Sequence, residues 1–441
     1  MVEGWFAQGH RMLRPLRLEG IRADSSLDRV VGDPATDDPT FPELHTAVDF
    51  TTKLARALLG YGLPVYRLEE ALDRLTRSLG FDASFYLTPT GMIATFELAG
   101  ERHTQVVVAS PGTVDMERLG ALHALVGRVE RGELSPADGS QRIDAILARP
   151  PRYGPGLTVL AAGLLSAAVA LLLGGSTNEM AWAGVLGLAV GLVGRFGQRS
   201  ITIGRLVAVL ASLFASLAAF GLAATGMTIQ PPLVLIAAVI TLVPGLTLTI
   251  ALVELATGNL VSGTARLMGA MVTFLQLGFG AALGHALSKV LPLELLPAVG
   301  ALPEWTFAFA PLVATGSFIV LLRVRMRDAL WVLLSCSLAV AGSRLGGHAL
   351  GPEVGAFVGA ILVGLFSHGY AWRTDRPSLV LLVPGILMLV PGIIGFLSLN
   401  SLLEDDPVVA LQTGFDMLLI GMAVATGILV ATLAVPLRRS L

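Results

Sequence analysis

After Arg152 the chain is a succession of apolar runs separated by short polar breaks. A run of roughly twenty such residues crosses the ~30 Å hydrocarbon layer of a bilayer as one helix. In a bilayer every backbone polar group must be satisfied within the protein, so a chain of this kind folds as a helical bundle. The runs fall at 157–174, 178–194, 203–223, 231–253, 264–287, 306–322, 328–343, 354–370, 378–399 and 411–435, which predicts about ten transmembrane helices. The boundary between the seventh and eighth is blurred by Arg344, Gly346, Gly347 and His348.

Composition separates this part from what precedes it. Charged residues make up 14% of the chain, against about 25% in soluble domains. Of the 30 basic residues, 17 lie at or before Arg152. The expected organisation is a disordered leader (1–40), a cytosolic α+β domain (41–150), and two sets of five helices (151–290 and 300–441). A net charge of −2 gives no argument for nucleic-acid binding. The single cysteine, Cys336, excludes an intramolecular disulfide framework and a cysteine zinc site. Residues 1–40 show no charged region leading into an apolar one, so no cleaved signal is expected. The use of 28 Arg against 2 Lys suggests a GC-rich bacterial genome.

The distribution of arginines tests the count. With the N-terminal domain in the cytosol, the inner loops and their flanks hold Arg195, Arg199, Arg205, Arg266, Arg323, Arg325, Arg327, Arg373, Arg376, Arg438 and Arg439. The outer loops hold only Lys289 and Arg344, along with the acids Glu304, Glu404, Asp405 and Asp406. That asymmetry follows the positive-inside rule and places both termini in the cytosol. The expected location is the bacterial cytoplasmic membrane.

In the N-terminal domain, leucines at helical spacing end at Gly60-Tyr61-Gly62, and a second helix carries Leu68, Leu72, Leu75 and Leu79. Period two follows through Phe85 and Leu87, a Thr88-Pro89-Thr90-Gly91 turn, Met92 to Leu98, and 104–109. Two helices close the domain, the last with Ser135 as N-cap, Pro136 at the first position and Asp138 at the third. Tyr66, Arg67, Glu69 and Glu70 open the second helix and read as structural, since acids are favoured near a helix N-terminus. His45, His103 and His123 are too scattered for metal-ligand spacing. The domain holds no nucleophile elbow, P-loop or dinucleotide fingerprint, and no cofactor is expected.

One motif recurs. Leu-Val-Pro-Gly stands at 242–245 in the fourth run, and at 382–385 and 389–392 in the ninth. Fourth and ninth are equivalent positions in two five-span halves, and an odd number of spans inverts the second half. Proline removes a backbone donor and clashes with the preceding turn, while glycine lets the chain leave helical geometry. Such breaks at membrane depth are tolerated only in buried or cavity-lining backbone, where half-helix ends can meet an ionic substrate. The candidate substrate site is therefore Pro244, Gly245, Thr247, Thr249, Pro384, Gly385, Pro391, Gly392 and Asn400. Intramembrane acids are functional candidates by default, so Asp416 and Glu254 are the candidate coupling residues. Asn259, Ser262, Arg266 and Gln276 are candidate lining or gating groups. Gln276 and His285 also fit a role as interhelical hydrogen-bonders.

The stretch from Leu58 to Phe96, with Gly62, Tyr66, Arg67, Glu69 and Thr88 to Gly91, resembles the signature of the bacterial threonine/serine exporter family. The Pro-Gly segments of both halves are similar to those of the same family, which carries aspartate where this chain has Glu254. The resemblance covers about residues 42–436. It implies export of threonine and serine by a secondary transporter driven by protons, with no enzymatic activity. The partners would be a small amino acid, protons and the lipid bilayer, with a homo-oligomer left open. The alternatives are a small dicarboxylate or other metabolite as substrate, or a membrane-anchored enzyme or sensor.

Overall fold

The computed structural model describes residues 41–98, 101–109, 112–198, 200–290, 302–389, 394, 395, 398 and 407–435. The expected leader lies outside the described residues, as do Pro391, Gly392 and Asn400.

The first described part comprises α1 (Phe41–Gly60), α2 (Val65–Ser78), β1 (Asp82–Thr88), β2 (Gly91–Leu98), β3 (Glu101–Val108), α3 (Met116–Glu130) and α4 (Pro136–Leu147). The strands pair antiparallel in the order β1-β2-β3. Their period-two pattern sets the faces. Leu87, Met92, Ala94, Phe96 and Val107 point into a core with Phe50, Leu54 and Leu58 of α1 and Leu68, Leu72 and Leu75 of α2. At Gly91, where the turn from Thr88 enters β2, pairing with β3 is so close that a Cβ would lie 2.6 Å from the Val107 carbonyl oxygen. The Ser135 side chain caps α4 by accepting from the Asp138 N–H.

The second part is α5 (Pro155–Leu172), α6 (Thr177–Gly197), α7 (Ile201–Ala224), α8 (Pro231–Ala238), α9 (Gly245–Ala256), α10 (Leu260–Ser288), α11 (Phe309–Leu321), α12 (Ala329–Leu350), α13 (Pro352–Thr374), α14 (Leu379–Leu387) and α15 (Pro407–Ala434). The protein is therefore a polytopic helical membrane protein. Seven helices among the described residues are long and apolar enough to span: α5, α6, α7, α10, α12, α13 and α15. The pair α8 and α9 makes an eighth if counted as one bent span. Ten uninterrupted spans are not what the described residues contain. The sixth expected span is the short α11, preceded by a 3₁₀ turn at Glu304–Ala308. The ninth is described only through Leu389, and its helix ends at Leu387.

Small residues let these helices approach closely, as expected for membrane packing. A Cβ on Gly284 of α10 would sit 2.5 Å from the Ser216 Cβ on α7, and Ser216 donates to the Ala281 carbonyl at 3.0 Å. Neighbour relations recur between the halves. In the first, α7 packs on α10, and α8 on both α6 and α7; in the second, α13 packs on α15, and α14 on both α12 and α13. The halves meet where α5 contacts α11 and where α9 contacts α14 and α15.

Residues 44–441 form one compact unit, and specific contacts join its α+β part to the bundle. The Met116 N–H donates to the Leu322 carbonyl at 3.0 Å, and the Tyr153 hydroxyl to that of Val324 at 2.8 Å. Arg323 bonds Asp115 at 3.0 Å and Arg325 lies 3.6 Å from Glu117. Two arginines expected in an inner loop thus lie on the side of the bundle that carries the α+β part.

Candidate functional site

The fourth apolar run is broken at the place its sequence predicts. Helix α8 ends at Ala238, a 3₁₀ turn covers Ile240–Leu242, and α9 restarts at Gly245 with Pro244 as its N-cap. The two pieces bend by 44°. Pro244 has no N–H to give, and among the described residues no donor reaches the carbonyls of Thr241 or Leu242. Backbone freed in this way requires a polar or wet surrounding. The ninth run differs. Pro384 lies inside α14, which continues for three residues past it, so Pro384-Gly385 does not interrupt the helix. The closeness of Gly385 to α13, where its added Cβ would lie 2.6 Å from a Val363 methyl, gives that glycine a packing role.

At the end of α9, Glu254 is fully buried. Its carboxylate accepts from the Val65 N–H at 2.9 Å, the Ser262 hydroxyl at 2.6 Å, and Arg266 Nε at 3.2 and 3.1 Å. Charge-assisted bonds of this kind offset the desolvation of a buried carboxylate. The structure thus gathers three sequence candidates, Glu254, Ser262 and Arg266, around one group. The third donor belongs to the α+β part: Val65 opens α2, after Pro64.

Two residues further along α2, Arg67 is 1% exposed. It donates to the Ser378 hydroxyl at 2.7 Å, just before α14, and to the Tyr66 hydroxyl at 3.2 Å. Helix α2 therefore holds the end of α9 through Val65 and the start of α14 through Arg67. A structural role in the dipole of α2 does not describe these residues. The helix begins at Val65, which leaves no acid in its first turn. Glu69 and Glu70 are exposed, and the Glu69 carboxyl is held above its ordinary range by partial burial, Asp73 and Glu70. The sequence does carry a signal for Arg67, because it shares the buried helical face with Ala71 and Leu75.

Between these contacts lies an apolar cavity of about 40 Å³, lined by Tyr61, Leu63 and Tyr66 from the α+β part, Thr249 and Val253 of α9, and Ile386 of α14. A space of that size holds water rather than a metabolite. Thr249 is buried and spends its hydroxyl on the Gly245 carbonyl at 3.1 Å. Thr247 is half-buried. A second, larger cavity of about 600 Å³ reaches Thr241 and Leu242 in the break.

The remaining candidates do not join this cluster. Asn259 precedes α10 without a side-chain cap, and among the described residues its side chain reaches only the Thr257 hydroxyl, at 3.5 Å. Gln276 donates across to the Arg205 carbonyl of α7 at 3.3 Å, the interhelical role. His285 packs its ring on Phe220, 4.6 Å between centroids. Asp416 is half-buried on α15.

Comparison with known proteins gives a consistent family. Residues 49–288 match a family described as "Putative threonine/serine exporter", and residues 307–434 match one described as "Threonine/Serine exporter, ThrE". Among curated proteins, the chain is 28% identical over 415 residues to pheromone-regulated membrane protein 10 of Kluyveromyces lactis, covering 87% of this chain and 43% of that one. The Saccharomyces cerevisiae protein of the same name is 28% identical over 424 residues, covering 88% and 54%. That of Eremothecium gossypii is 26% identical over 425 residues, covering 88% and 56%. The chain thus spans about half the length of these fungal relatives. No solved structure matches. The match across 49–288 alone covers more than half of the sequence, and with it the chain belongs to the threonine/serine exporter family of membrane proteins.

Proposed function

We propose that the chain is a secondary exporter of threonine and serine, coupled to protons and working by alternating access between two inverted five-helix halves. It would sit in the bacterial cytoplasmic membrane with both termini in the cytosol. The observation that carries this reading is the buried Glu254 carboxylate at the end of a broken helix, clamped by a donor from outside the bundle. An ionised carboxylate accepts from Val65, Ser262 and Arg266 at once. A protonated one keeps a carbonyl acceptor but loses its charge, which weakens the Arg266 pair and the Val65 bond. Protonation would thus loosen α2 from the end of α9 and couple proton binding to opening of the cytosolic side. The recurrence of the same helix neighbours in both halves supports the inverted repeat. The substrate would meet the free backbone at Thr241–Pro244, with Asp416 on α15 as the second coupling residue.

Transport by the full chain in proteoliposomes tests the reading. Labelled threonine and serine should be driven by an imposed pH gradient, and Glu254→Gln should abolish accumulation while leaving exchange at equal concentrations. Movement that ignores the pH gradient would remove proton coupling. Movement of a dicarboxylate in place of both amino acids would change the substrate class.

A further inference from the structure

The larger cavity, about 600 Å³, is bounded by the inner halves of α5 and α6, the start of α7, the 3₁₀ turn of the fourth run, and the Tyr153 and Arg323 region where the α+β part docks. It falls within the size range of small-molecule sites, and it opens on the same side as the α+β part. Its inner end is the break itself, where the buried Thr241 hydroxyl has no hydrogen-bond partner. An orphaned polar group beside free carbonyls in a cavity is a place for a ligand or water to satisfy.

Its charge is selective. Two arginines line it. Arg323 is engaged by Asp115 at 3.0 Å, whereas Arg195, near the end of α6, has no ion-pair partner among the described residues. One uncommitted guanidinium suits one carboxylate and gives a second no matching cation. The Thr241 hydroxyl and the carbonyls of Thr241 and Leu242 are acceptors for an ammonium group.

We infer that this cavity is the cytosolic entry site for the substrate, taking a zwitterionic monocarboxylate with Arg195 on its carboxylate and the Thr241–Leu242 turn on its ammonium or hydroxyl. The inference rests on the exporter reading for the identity of the substrate and goes beyond it in assigning the route and the anchors. It places entry where α5, α6 and α7 face the break, in a cavity that shares no lining residue with the small one beside α2. It also disfavours a dicarboxylate on the ground of charge.

Two measurements on the full chain, in a Cys336→Ser background, test it. In inside-out vesicles, Thr241→Cys and Thr158→Cys should react with a membrane-impermeant maleimide added to the cytosolic face, and L-threonine or L-serine should slow the reaction. The amine lacking the carboxylate, 1-amino-2-propanol, should not. In transport, Arg195→Gln should raise the half-saturating threonine concentration about tenfold or more, as loss of a hydrogen bond to a charged group implies. The maximal rate should change less, and Arg195→Lys should restore part of the affinity. If the wild-type chain moves threonine but labelling ignores it and Arg195→Gln leaves half-saturation unchanged, the entry site is elsewhere and the exporter reading stands. If the wild type moves neither amino acid, the exporter reading fails. In that case protection of the cysteines by either amino acid upholds the cavity as a binding site, and lack of protection overturns it too.

Discussion

Replacing Glu254 with glutamine changes one atom and tests the link between the buried carboxylate and the docking of α2. The wild-type side chain is fully buried and satisfies Val65, Ser262 and Arg266, whose own side chain is 12% exposed. In Glu254→Gln the amide oxygen keeps one or two of these donors. Its NH₂ faces the others, and the Arg266 charge loses its counter-ion. Breaking a buried pair on one side costs about 3–5 kcal/mol. The lower end, about 3 kcal/mol, corresponds to roughly a hundredfold shift in the ratio of docked to undocked α2, since about 1.4 kcal/mol is tenfold. Hydrogen exchange of the peptide spanning 61–72 should therefore accelerate strongly, with smaller change in α3 and α4. Arg266→Gln alone should do the same. The double variant should cost less than the two singles together, because it leaves no unmatched charge. Strictly additive singles, or unchanged exchange in Glu254→Gln, would refute the view that this carboxylate fastens α2.

Three further outcomes follow from the same geometry. Arg67→Ala removes the 2.7 Å bond to Ser378, a loss of about 1.5–3 kcal/mol for a charged donor; Ser378→Cys should then become reactive to a thiol reagent to which it is closed beside Arg67. Pro244→Ala permits a continuous helix through the fourth run, where proline costs about 3 kcal/mol relative to alanine. The variant should be at least as heat-stable as wild type and transport-deficient, and normal transport would show the break to be a packing kink. Cysteines at Asn178 and Gln198, at the two ends of α6, should label from opposite faces of the membrane, with Gln198 on the cytosolic side; labelling from one face would cancel the topology.

How much of this was legible in the sequence depends on the range of the interaction. Hydropathy, capping and turn chemistry act within a few residues. The helices, the Ser135 cap and the Gly91 turn were therefore readable, and so was the break at Pro244. The same Pro-Gly pair at 384 sits within a helix, because a local motif permits a break without requiring one; packing of Gly385 on α13 decides that case. Asn400, Pro391 and Gly392 lie outside the described residues. The Glu254 cluster was half visible. Ser262 and Arg266 follow the acid within 12 residues, but Val65 comes from 189 residues away and Arg67 finds Ser378 across 311. No periodicity reports contacts of that separation. What the sequence offered was an arginine on the otherwise largely apolar face of an amphipathic helix.

That arginine sharpens the part the α+β region plays. Arg67 is 1% exposed, and its hydrogen bonds go to the Ser378 and Tyr66 hydroxyls rather than to an acid. Among the described residues no acid pairs with it, and a buried cation without a counter-ion is costly, so the docked arrangement has a weakness at one of its two anchor points. The Val65–Glu254 anchor has the opposite character, with a full set of donors on an ionised group. On the proposed coupling, release of α2 is controlled by the state of Glu254, since the Arg67–Ser378 bond, worth about 1.5–3 kcal/mol, does not itself respond to a proton on Glu254. The order of events this implies is proton first, α2 second, and separation of α9 from α14 last. On that order, Arg67→Ala should weaken docking without removing its dependence on Glu254, while Glu254→Gln should remove that dependence even with Arg67 in place.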